Sequence, residues 1–217
     1  MKSCDLIIKD IAQLVTCASH QHPKRGKQMR DIGIISNGAL AIQDGLFLDV
    51  GDSIYITANY QAEKVISANN KVIIPGLVDC HTHTIHDGNR YDEFEMRISG
   101  KTYMEIMEAG GGIMNTVRAT RSASFDTLVA SGEAHLNEML KLGTTTVEIK
   151  TGYGLNTETE NKLLQVIFAL AEKHPMTIIP TYLGAHTKPT EYASNQEYLR
   201  SIFEEGLPSA YAIYQQS

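Results

Sequence analysis

One nearly continuous apolar segment, residues 72–80 (VIIPGLVDC), constrains the possible folds of this chain most strongly. A run of this kind is typical of a strand that is buried on both faces, as in a parallel sheet covered by helices. Two more strands are predicted at residues 144–149 and 177–183. Apolar side chains recur at helical spacing over residues 124–142 and 157–173, which are predicted to be helices. Strands that alternate with helices of this length indicate an α/β fold with a parallel sheet.

The segment before this run has a different pattern, rich in short strands. Residues 38–51 are predicted to form a β-hairpin, because alternating apolar residues flank Asp44-Gly45, a dipeptide that tolerates the positive φ of a tight turn. Two further strands are predicted in this segment, at residues 5–11 and 62–67, and a polar loop is predicted at residues 21–29. We therefore predict two domains, a β-rich domain of residues 1–75 and an α/β domain of residues 76–217.

Charge and cysteine content exclude several classes of protein. The net charge is −6, and the densest basic stretch holds only four residues between Lys24 and Arg30, whereas nucleic-acid binding requires a concentrated positive face. The three cysteines are scattered without CxxC spacing, which favours free thiols in a reducing compartment. The apolar stretch at residues 6–8 is too short for a signal sequence or a membrane span. We expect a cytoplasmic protein with no nucleic-acid or membrane partner.

Two histidines follow the apolar run directly, at positions 81 and 83. Side chains alternate along a strand, so His81 and His83 point to the same side and their imidazoles can converge on one metal ion. In α/β barrels the active site is built at the carboxyl ends of the strands, which is where these two residues lie. The sequence therefore predicts that His81 and His83 are metal ligands.

The string PGLVDCHTH at residues 75–83, with the β-rich segment before it, resembles the amidohydrolase superfamily. Members of that superfamily pair a small β-sandwich with a (β/α)₈ barrel whose first strand ends in HxH. The resemblance implies an α/β fold in which a small N-terminal β-sandwich portion precedes about three βα units of a TIM barrel. Residues 76–217 are too few for a complete barrel, which takes roughly 250 residues. We therefore expect a partial, truncated barrel.

Four further strings are similar to those of the imidazolonepropionase family within that superfamily, and the resemblance extends over the chain from about residue 5 to residue 200. They lie at residues 88–97, 110–113, 148–155 and 182–186. The resemblance implies hydrolysis of 4-imidazolone-5-propanoate to N-formimidoyl-L-glutamate in histidine degradation. It also implies one divalent or ferric metal ion, zinc or iron, as the cofactor.

Three residues within these strings have chemistry that suits this reaction. Arg90 offers a planar guanidinium for bidentate binding of the substrate carboxylate. Tyr153 lies between two glycines, which allow close approach of the backbone to a ligand, and its phenol can donate to a carboxylate or ring oxygen. His186 ends the third strand and is predicted to be both substrate-binding and catalytic, by orienting the ring carbonyl or stabilising the developing oxyanion.

Other polar residues are predicted to have structural roles. Residues 84–100 are predicted to form a polar loop, in which Glu93 and Glu95 serve as hydrogen-bonding groups. Lys150 is predicted to be structural, and His86 and His135 have no partner at a useful spacing. A short helix is also predicted after this loop, at residues 103–109, ended by the glycines at 110–112.

The resemblance also implies functional groups that these residues do not supply. In the family a third histidine, an aspartate and a general-base glutamate come from later strands, so the chain is expected to hold only part of a metal site. Two alternatives stay open: a non-catalytic fragment or pseudoenzyme, and another cyclic-amide hydrolase of the hydantoinase or dihydroorotase type. Half a barrel leaves an open sheet edge, so we expect a homo-oligomer, most simply a dimer. The expected substrate is a small molecule.

Overall fold

The computed structural model describes residues 1–19 and 22–217, which form two compact units, Met1–Pro75 and Gly76–Ser217. Each unit has its own sheet and its own buried core. The predicted loop at residues 21–29 begins at Gln21, which lies outside the described residues, and a short 3₁₀ helix, Gly26–Arg30, occupies the end of that segment.

The first unit is one sheet of five strands with a short helix. The strands and the helix are β1 (Lys2–Val15), β2 (Ile34–Gln43), β3 (Leu46–Asp52), α1 (Ser53–Asn59), β4 (Tyr60–Ser67) and β5 (Val72–Ile73). The strand order is β3-β2-β1-β4, and β5 pairs with the far end of β1. All the strands described in this unit belong to this one sheet, so the unit is β-rich as predicted.

The predicted hairpin is confirmed. Strands β2 and β3 are antiparallel, and Asp44 and Gly45 take φ values of 52° and 74° at the turn between them. Positive φ at both central residues gives the turn whose twist matches that of the flanking strands. Helix α1 was not predicted; it begins after Asp52, whose side chain accepts a hydrogen bond from Ile54 N–H, and it buries Ile56 completely.

The second unit contains a parallel sheet of three strands in the order β6-β7-β8. The strands are β6 (Leu77–Thr82), β7 (Thr144–Lys150) and β8 (Thr177–Thr181). The helices are α2 (Tyr91–Ile98), α3 (Tyr103–Glu108), α4 (Ile113–Ser122), α5 (Phe125–Lys141), α6 (Thr157–Lys173), α7 (Asn195–Ser201) and α8 (Leu207–Tyr214). A π-helical turn, Ile202–Gly206, joins the last two helices.

The interpretation of residues 72–80 as a single strand is wrong. Strand β5 pairs with β1 of the first unit, and β6 pairs with β7 of the second, because Pro75 has no N–H to continue a ladder. The prediction that the run is buried on both faces is also wrong for β6. Leu77 is 48% exposed and Val78 is 67% exposed, since β6 lies at an edge of the three-stranded sheet.

Helices α5 and α6 cover one face of the parallel sheet. The core between them contains Val147 and Ile149 of β7 and Ile178 of β8, packed against leucines of both helices such as Leu136 and Leu163. Both helices were predicted, and each begins after a polar cap that satisfies free backbone N–H groups. The side chain of Ser124 accepts from Thr127 N–H before α5, and that of Asn156 accepts from Thr159 N–H before α6.

The segment predicted as a loop at residues 84–100 contains helix α2. That prediction is wrong for this helix: Tyr91, Phe94 and Ile98 recur at helical spacing but are exposed, and Glu93 is the buried residue of α2. The predicted interruption after α3 is confirmed: Gly110 and Gly112 take φ values of 84° and 75°, which end α3 and allow α4 to begin in a new direction. None of the helices that the structure describes combines the length and apolar content that a membrane span requires.

Candidate functional site

Three of the predicted site residues come together beyond the carboxyl ends of the parallel strands. His83 directly follows β6, Tyr153 lies in the loop after β7, and His186 ends a short 3₁₀ turn after β8. The rings of His83 and His186 stack with their centroids 4.6 Å apart. Tyr153 lies 4.9 Å from the ring of His83 and 5.5 Å from that of His186. Carboxyl ends of parallel strands meet at one edge of a sheet, which is the physical reason for this convergence.

His83 is held in a form that suits metal binding. Burial lowers its pKa from 6.5 to about 4, with smaller contributions from the nearby His186 and Lys150. The ring is therefore neutral at pH 7, and a neutral imidazole is the form that ligates metal ions. Its Nδ1 atom is also buried without a hydrogen-bond partner. A buried imidazole nitrogen with no partner fits a ligand that remains to be bound.

His81 lies two residues before His83 and is exposed. Among residues 1–19 and 22–217, no group of three or more histidine, cysteine, aspartate and glutamate side chains is placed to hold a metal ion. A catalytic zinc site normally uses three protein ligands and leaves a fourth position open. His81 and His83 therefore fit a metal ion as an incomplete donor set, and additional ligands are needed for a catalytic centre.

The loop that carries Tyr153 packs closely against the segment that follows β8. Thr151 Oγ1 accepts a hydrogen bond from Leu183 N–H at 2.9 Å, which joins this loop to the segment after β8. Gly152 has a φ of 110°, a value that only glycine adopts readily. A Cβ atom at Gly152 would lie 3.0 Å from the side chain of His186, so the absence of a side chain there lets the two segments pack closely.

His186 is oriented by a hydrogen bond to the same loop. Its Nδ1 lies 2.9 Å from the carbonyl oxygen of Gly152, which can only accept, so Nδ1 carries the hydrogen in this arrangement. The neutral ring then presents an unprotonated Nε2. The predicted donation to a developing oxyanion therefore requires the protonated ring, whereas the neutral ring accepts a hydrogen bond instead. The turn before His186 is held by the buried Tyr198, whose hydroxyl donates to Gly184 O.

Arg90 lies apart from the three clustered rings. It is exposed, occupies the position just before α2, and donates from Nε to Thr116 Oγ1 at 3.0 Å. Its charge contributes to lowering the pKa of His86, although burial of that ring is the larger cause. The side-chain hydrogen bond of Arg90 thus goes to Thr116 of α4 and not to His83, Tyr153 or His186.

His86 and His135, which have no partner at a useful spacing in the sequence, lie close to each other in the folded chain. Their rings lie 5.7 Å apart, and the ring of His86 meets that of Tyr153 edge-on at 5.9 Å. The Nδ1 atom of His135 lies 3.1 Å from the carbonyl oxygen of Thr84. The sequence carries no signal for this pair, because a loop after β6 meets a side chain of α5 only in the folded chain.

Two of the polar residues for which structural roles were predicted have polar partners in the structure, and the third is exposed. Lys150 forms an ion pair with Glu148 two positions earlier on β7, where alternation places both on one face. The buried Glu93 accepts a hydrogen bond from Gly112 N–H at 2.9 Å, so it is a hydrogen-bonding group as predicted, although it lies in a helix. Glu95 is exposed.

One polar residue that the sequence did not single out lies directly behind the site. Glu160, on the first turns of α6, is only 1% exposed and accepts hydrogen bonds from Gly152, Gly154 and Leu155. In sequence it is one of two acidic residues near a helix start, where such residues are usually exposed. The nearby glycines were the one available signal, since they allow a loop to approach a helix closely.

Sequence comparison identifies relatives over nearly the whole chain. It is 44% identical to the imidazolonepropionase of Parabacteroides distasonis over 212 residues, which are 96% of this chain and 51% of that protein. It is 45% identical to the imidazolonepropionase of Symbiobacterium thermophilum over 216 residues, 98% of this chain and 50% of that protein. The chain thus spans about half the length of the curated relatives it matches. No family model matches the chain.

Solved structures with a similar fold include two deaminases. An adenosine deaminase from Xanthomonas campestris with bound zinc matches 98% of this chain and 56% of its own, with a TM-score of 0.52 and 12% identity. A guanine deaminase from Bradyrhizobium japonicum matches 94% of this chain and 42% of its own, with a TM-score of 0.52 and 15% identity. At these identities the likeness concerns the fold alone. In sequence, the chain is similar over nearly its whole length to the N-terminal half of the imidazolonepropionases.

Proposed function

We propose that this chain forms the N-terminal half of a metal-dependent hydrolase that converts 4-imidazolone-5-propanoate to N-formimidoyl-L-glutamate in histidine degradation. The names of its relatives support the reaction. The observation that carries the proposal is the meeting of Tyr153 and His186 with His83 beyond the ends of three parallel strands. In this reaction water adds to the ring carbonyl carbon, the carbon–nitrogen bond of the cyclic amide breaks, and the leaving nitrogen receives a proton.

The chain's own side chains orient the substrate. The guanidinium of Arg90 binds the propanoate carboxylate through two parallel hydrogen bonds. Tyr153 donates its hydroxyl hydrogen to the carboxylate or to the ring oxygen. His186 presents Nε2 to the ring: it accepts a hydrogen bond when neutral and, when protonated, donates to the oxygen on which negative charge develops. The bond from His186 Nδ1 to Gly152 O supports this role because it fixes the ring orientation.

His81 and His83 would hold one metal ion, zinc or iron, divalent or ferric. When bound, such an ion lowers the pKa of water and so supplies a nucleophile at neutral pH. The bound zinc in the structurally similar adenosine deaminase supports a metal cofactor in general, not a particular metal. The further ligands and the general base that the family resemblance implies would come from residues other than these.

The proposal extends to architecture and partners. Strands β6, β7 and β8 would be the first three strands of a (β/α)₈ barrel, and residues 1–75 would be part of a small β-sandwich. The exposed apolar side chains Leu77 and Val78 on the edge strand support a larger sheet, because such residues are normally buried. We also propose a cytoplasmic homodimer that acts on a small molecule and has neither nucleic acid nor a membrane as a partner.

A second candidate is a non-catalytic fragment that keeps the fold of the family and has lost hydrolysis. The observation that favours it is the lack of a group of three metal-binding side chains in residues 1–19 and 22–217. A third candidate, a hydantoinase or dihydroorotase type of cyclic-amide hydrolase, is disfavoured because the strings around Arg90 and Tyr153 are similar to those of imidazolonepropionases.

The test is to purify the 217-residue chain, load it with Zn²⁺ or iron, and follow loss of 4-imidazolone-5-propanoate by ultraviolet absorbance. Hydantoin and dihydroorotate serve as competing substrates, and a full-length relative serves as the positive control. Turnover that disappears in the His81→Ala variant supports the hydrolase. No turnover beside an active full-length relative supports the non-catalytic fragment, and turnover of hydantoin or dihydroorotate alone rejects the proposed substrate.

A further inference from the structure

Glu160 is a buried acidic residue that the proposed reaction does not use. It lies on α6, behind the loop that follows β7, and only 1% of its surface is exposed. A buried carboxylate costs free energy unless hydrogen bonds compensate for the lost water. We therefore expect the carboxylate of Glu160 to accept hydrogen bonds from neighbouring groups.

The partners of Glu160 are all backbone groups of one loop. Gly152 N–H donates to Oε2 at 2.8 Å, and Gly154 N–H and Leu155 N–H both donate to Oε1 at 2.7 Å. Hydrogen bonds to a charged acceptor are about twice as strong as neutral ones. The loop approaches so closely that a Cβ atom on Gly154 would lie 2.7 Å from the backbone nitrogen of Glu160. The single carboxylate therefore fixes the backbone on both sides of Tyr153.

The same loop orients His186. Gly152 donates its N–H to Glu160, and its carbonyl oxygen accepts from His186 Nδ1 at 2.9 Å. A Cβ atom on Gly152 would be 3.0 Å from both Cβ and Nδ1 of His186. A shift of this backbone would therefore displace Tyr153 and release His186 together.

A carbonyl group of the same loop accepts a hydrogen bond from a positively charged side chain. Arg121 donates from Nε to Gly154 O at 2.7 Å, and its Nη1 forms an ion pair with Glu191 at 2.5 Å. Two side chains of opposite charge thus hold the N–H and C=O groups of Gly154. The Leu155 backbone takes a φ of 55°, a conformation that non-glycine residues adopt only when their surroundings enforce it.

We infer that Glu160 is a positioning residue, which holds the loop of residues 152–155 so that Tyr153 and His186 both meet His83. The hydrogen bonds of Glu160 go to the loop backbone and not to the rings, so it acts through other residues. The consequence for substrate binding rests on the proposed function, whereas the consequence for the loop does not.

Glu158 provides a matched control. It lies two residues earlier in the first turn of the same helix, carries the same charge and is exposed. Both residues favour the helix through its dipole, so a role in the helix alone would give the two variants the same effect. Only Glu160 bonds to the loop, and the comparison therefore separates positioning from helix stabilisation.

The experiment compares wild type, Glu160→Gln and Glu158→Gln by amide hydrogen exchange and by NMR contacts between the rings of Tyr153 and His186. In Glu160→Gln we expect exchange at Gly152, Gly154 and Leu155 to accelerate about tenfold or more, with unchanged exchange in β7 and loss of the ring contacts. In Glu158→Gln we expect neither change. Equal exchange in the two variants, or ring contacts that persist in Glu160→Gln, would overturn the inference.

A second variant covers the case in which Glu160→Gln does not fold. Gly154→Ala keeps the carboxylate and places a methyl group against the start of α6, so the loop must move. We expect the same loss of ring contacts and the same local rise in exchange. The control is Gly45→Ala, at an exposed turn of the first unit, which should change neither the ring contacts nor the exchange of the loop. Ring contacts that survive in Gly154→Ala would overturn the inference.

Imidazole-4-propanoate, a stable molecule with the same tail as the substrate, separates this inference from the proposed function. If wild type binds it, we expect Kd to rise about tenfold or more in Glu160→Gln and to stay unchanged in Glu158→Gln. If wild type does not bind it, the proposed substrate site is wrong. The exchange rates and ring contacts then still decide the role of Glu160.

Discussion

The two halves of the candidate site are completed to different degrees by this chain. On one side, Tyr153 and His186 lie on segments held by hydrogen bonds that Glu160 accepts and that Tyr198 donates. On the other side, His81 is exposed and the buried Nδ1 of His83 has no partner. The substrate-orienting half is therefore formed by the second unit itself, whereas the metal-binding half has two donors.

This difference shows which part of such a site can form from a few neighbouring elements. Hydrogen bonds that involve α6 and the segment after β8 fix the orienting groups, and residues 150–198 contain all of these elements. A metal centre needs ligands from several separate strands, so it forms only when each of those strands is present. Orientation is thus expected to be independent of metal binding in this protein.

The largest expected effect is on the free energy of unfolding when the orienting half is disrupted. Glu160→Ala removes the acceptor of three buried N–H groups, and we expect a loss of about 3 kcal/mol. His81→Ala changes an exposed side chain, and we expect a change below about 0.5 kcal/mol. Urea unfolding of both variants measures the contrast. Equal losses would remove the distinction between the two halves.

A smaller effect is expected from metal binding. Zn²⁺ at ten times its Kd should raise the free energy of unfolding by about 1.4 kcal/mol, because it binds the folded chain preferentially. Thermal unfolding with and without Zn²⁺ measures this gain, which should vanish in His81→Ala. The control is His174→Ala, which changes a histidine at the end of α6 outside the ring cluster. A gain that persists in His81→Ala would place the metal elsewhere.

The next prediction concerns the hydroxyl of Tyr198, which holds the turn that precedes His186. Tyr198→Phe removes the donor to Gly184 O and leaves that buried carbonyl unpaired, so we expect a loss of about 1 kcal/mol in unfolding free energy. The ring contacts of His186 with His83 should weaken in the same variant. Tyr211→Phe, on the exposed face of α8, is the control and should change neither quantity.

A pH dependence of the free energy of unfolding is also expected from His83 in the metal-free chain. Its pKa is about 4 when folded, against an ordinary value of 6.5. Between these values the unfolded chain binds a proton that the folded chain does not, so stability decreases as pH falls through this range. Urea unfolding from pH 7 to pH 4 should show a steeper decrease in wild type than in His83→Gln. Identical slopes would show that His83 titrates normally.

Much of the fold followed from short-range patterns, and the errors have specific physical causes. The hairpin at Asp44-Gly45 and the helices α5 and α6 were predictable because turn chemistry and apolar spacing act locally. The single strand at residues 72–80 was wrong because hydropathy does not register the missing N–H of Pro75. Helix α2 was missed because the segment that contains it is mostly polar, and the apolar residues Tyr91, Phe94 and Ile98 at helical spacing are exposed and not part of a core.

The candidate site shows the same division. His83, Tyr153 and His186 were each identified from a strand end, because parallel strands bring their carboxyl ends to one edge. Their roles as ligands and substrate contacts stay predictions. The contact between His86 and His135 and the burial of Glu160 could not be predicted, since both join segments whose approach depends on how helices pack on the sheet.

The sequence by itself determined which residues end the strands and which chemistry they bring: imidazoles at 81, 83 and 186, a phenol at 153 and a guanidinium at 90. Only the tertiary structure decided how those groups are held. It showed that a carboxylate on α6 holds the Tyr153 loop and that the same loop carbonyl sets the proton on His186 Nδ1. The physical reason is that alternation and turn chemistry act within one segment, whereas burial and hydrogen-bond partners depend on how loops and helices pack on the sheet.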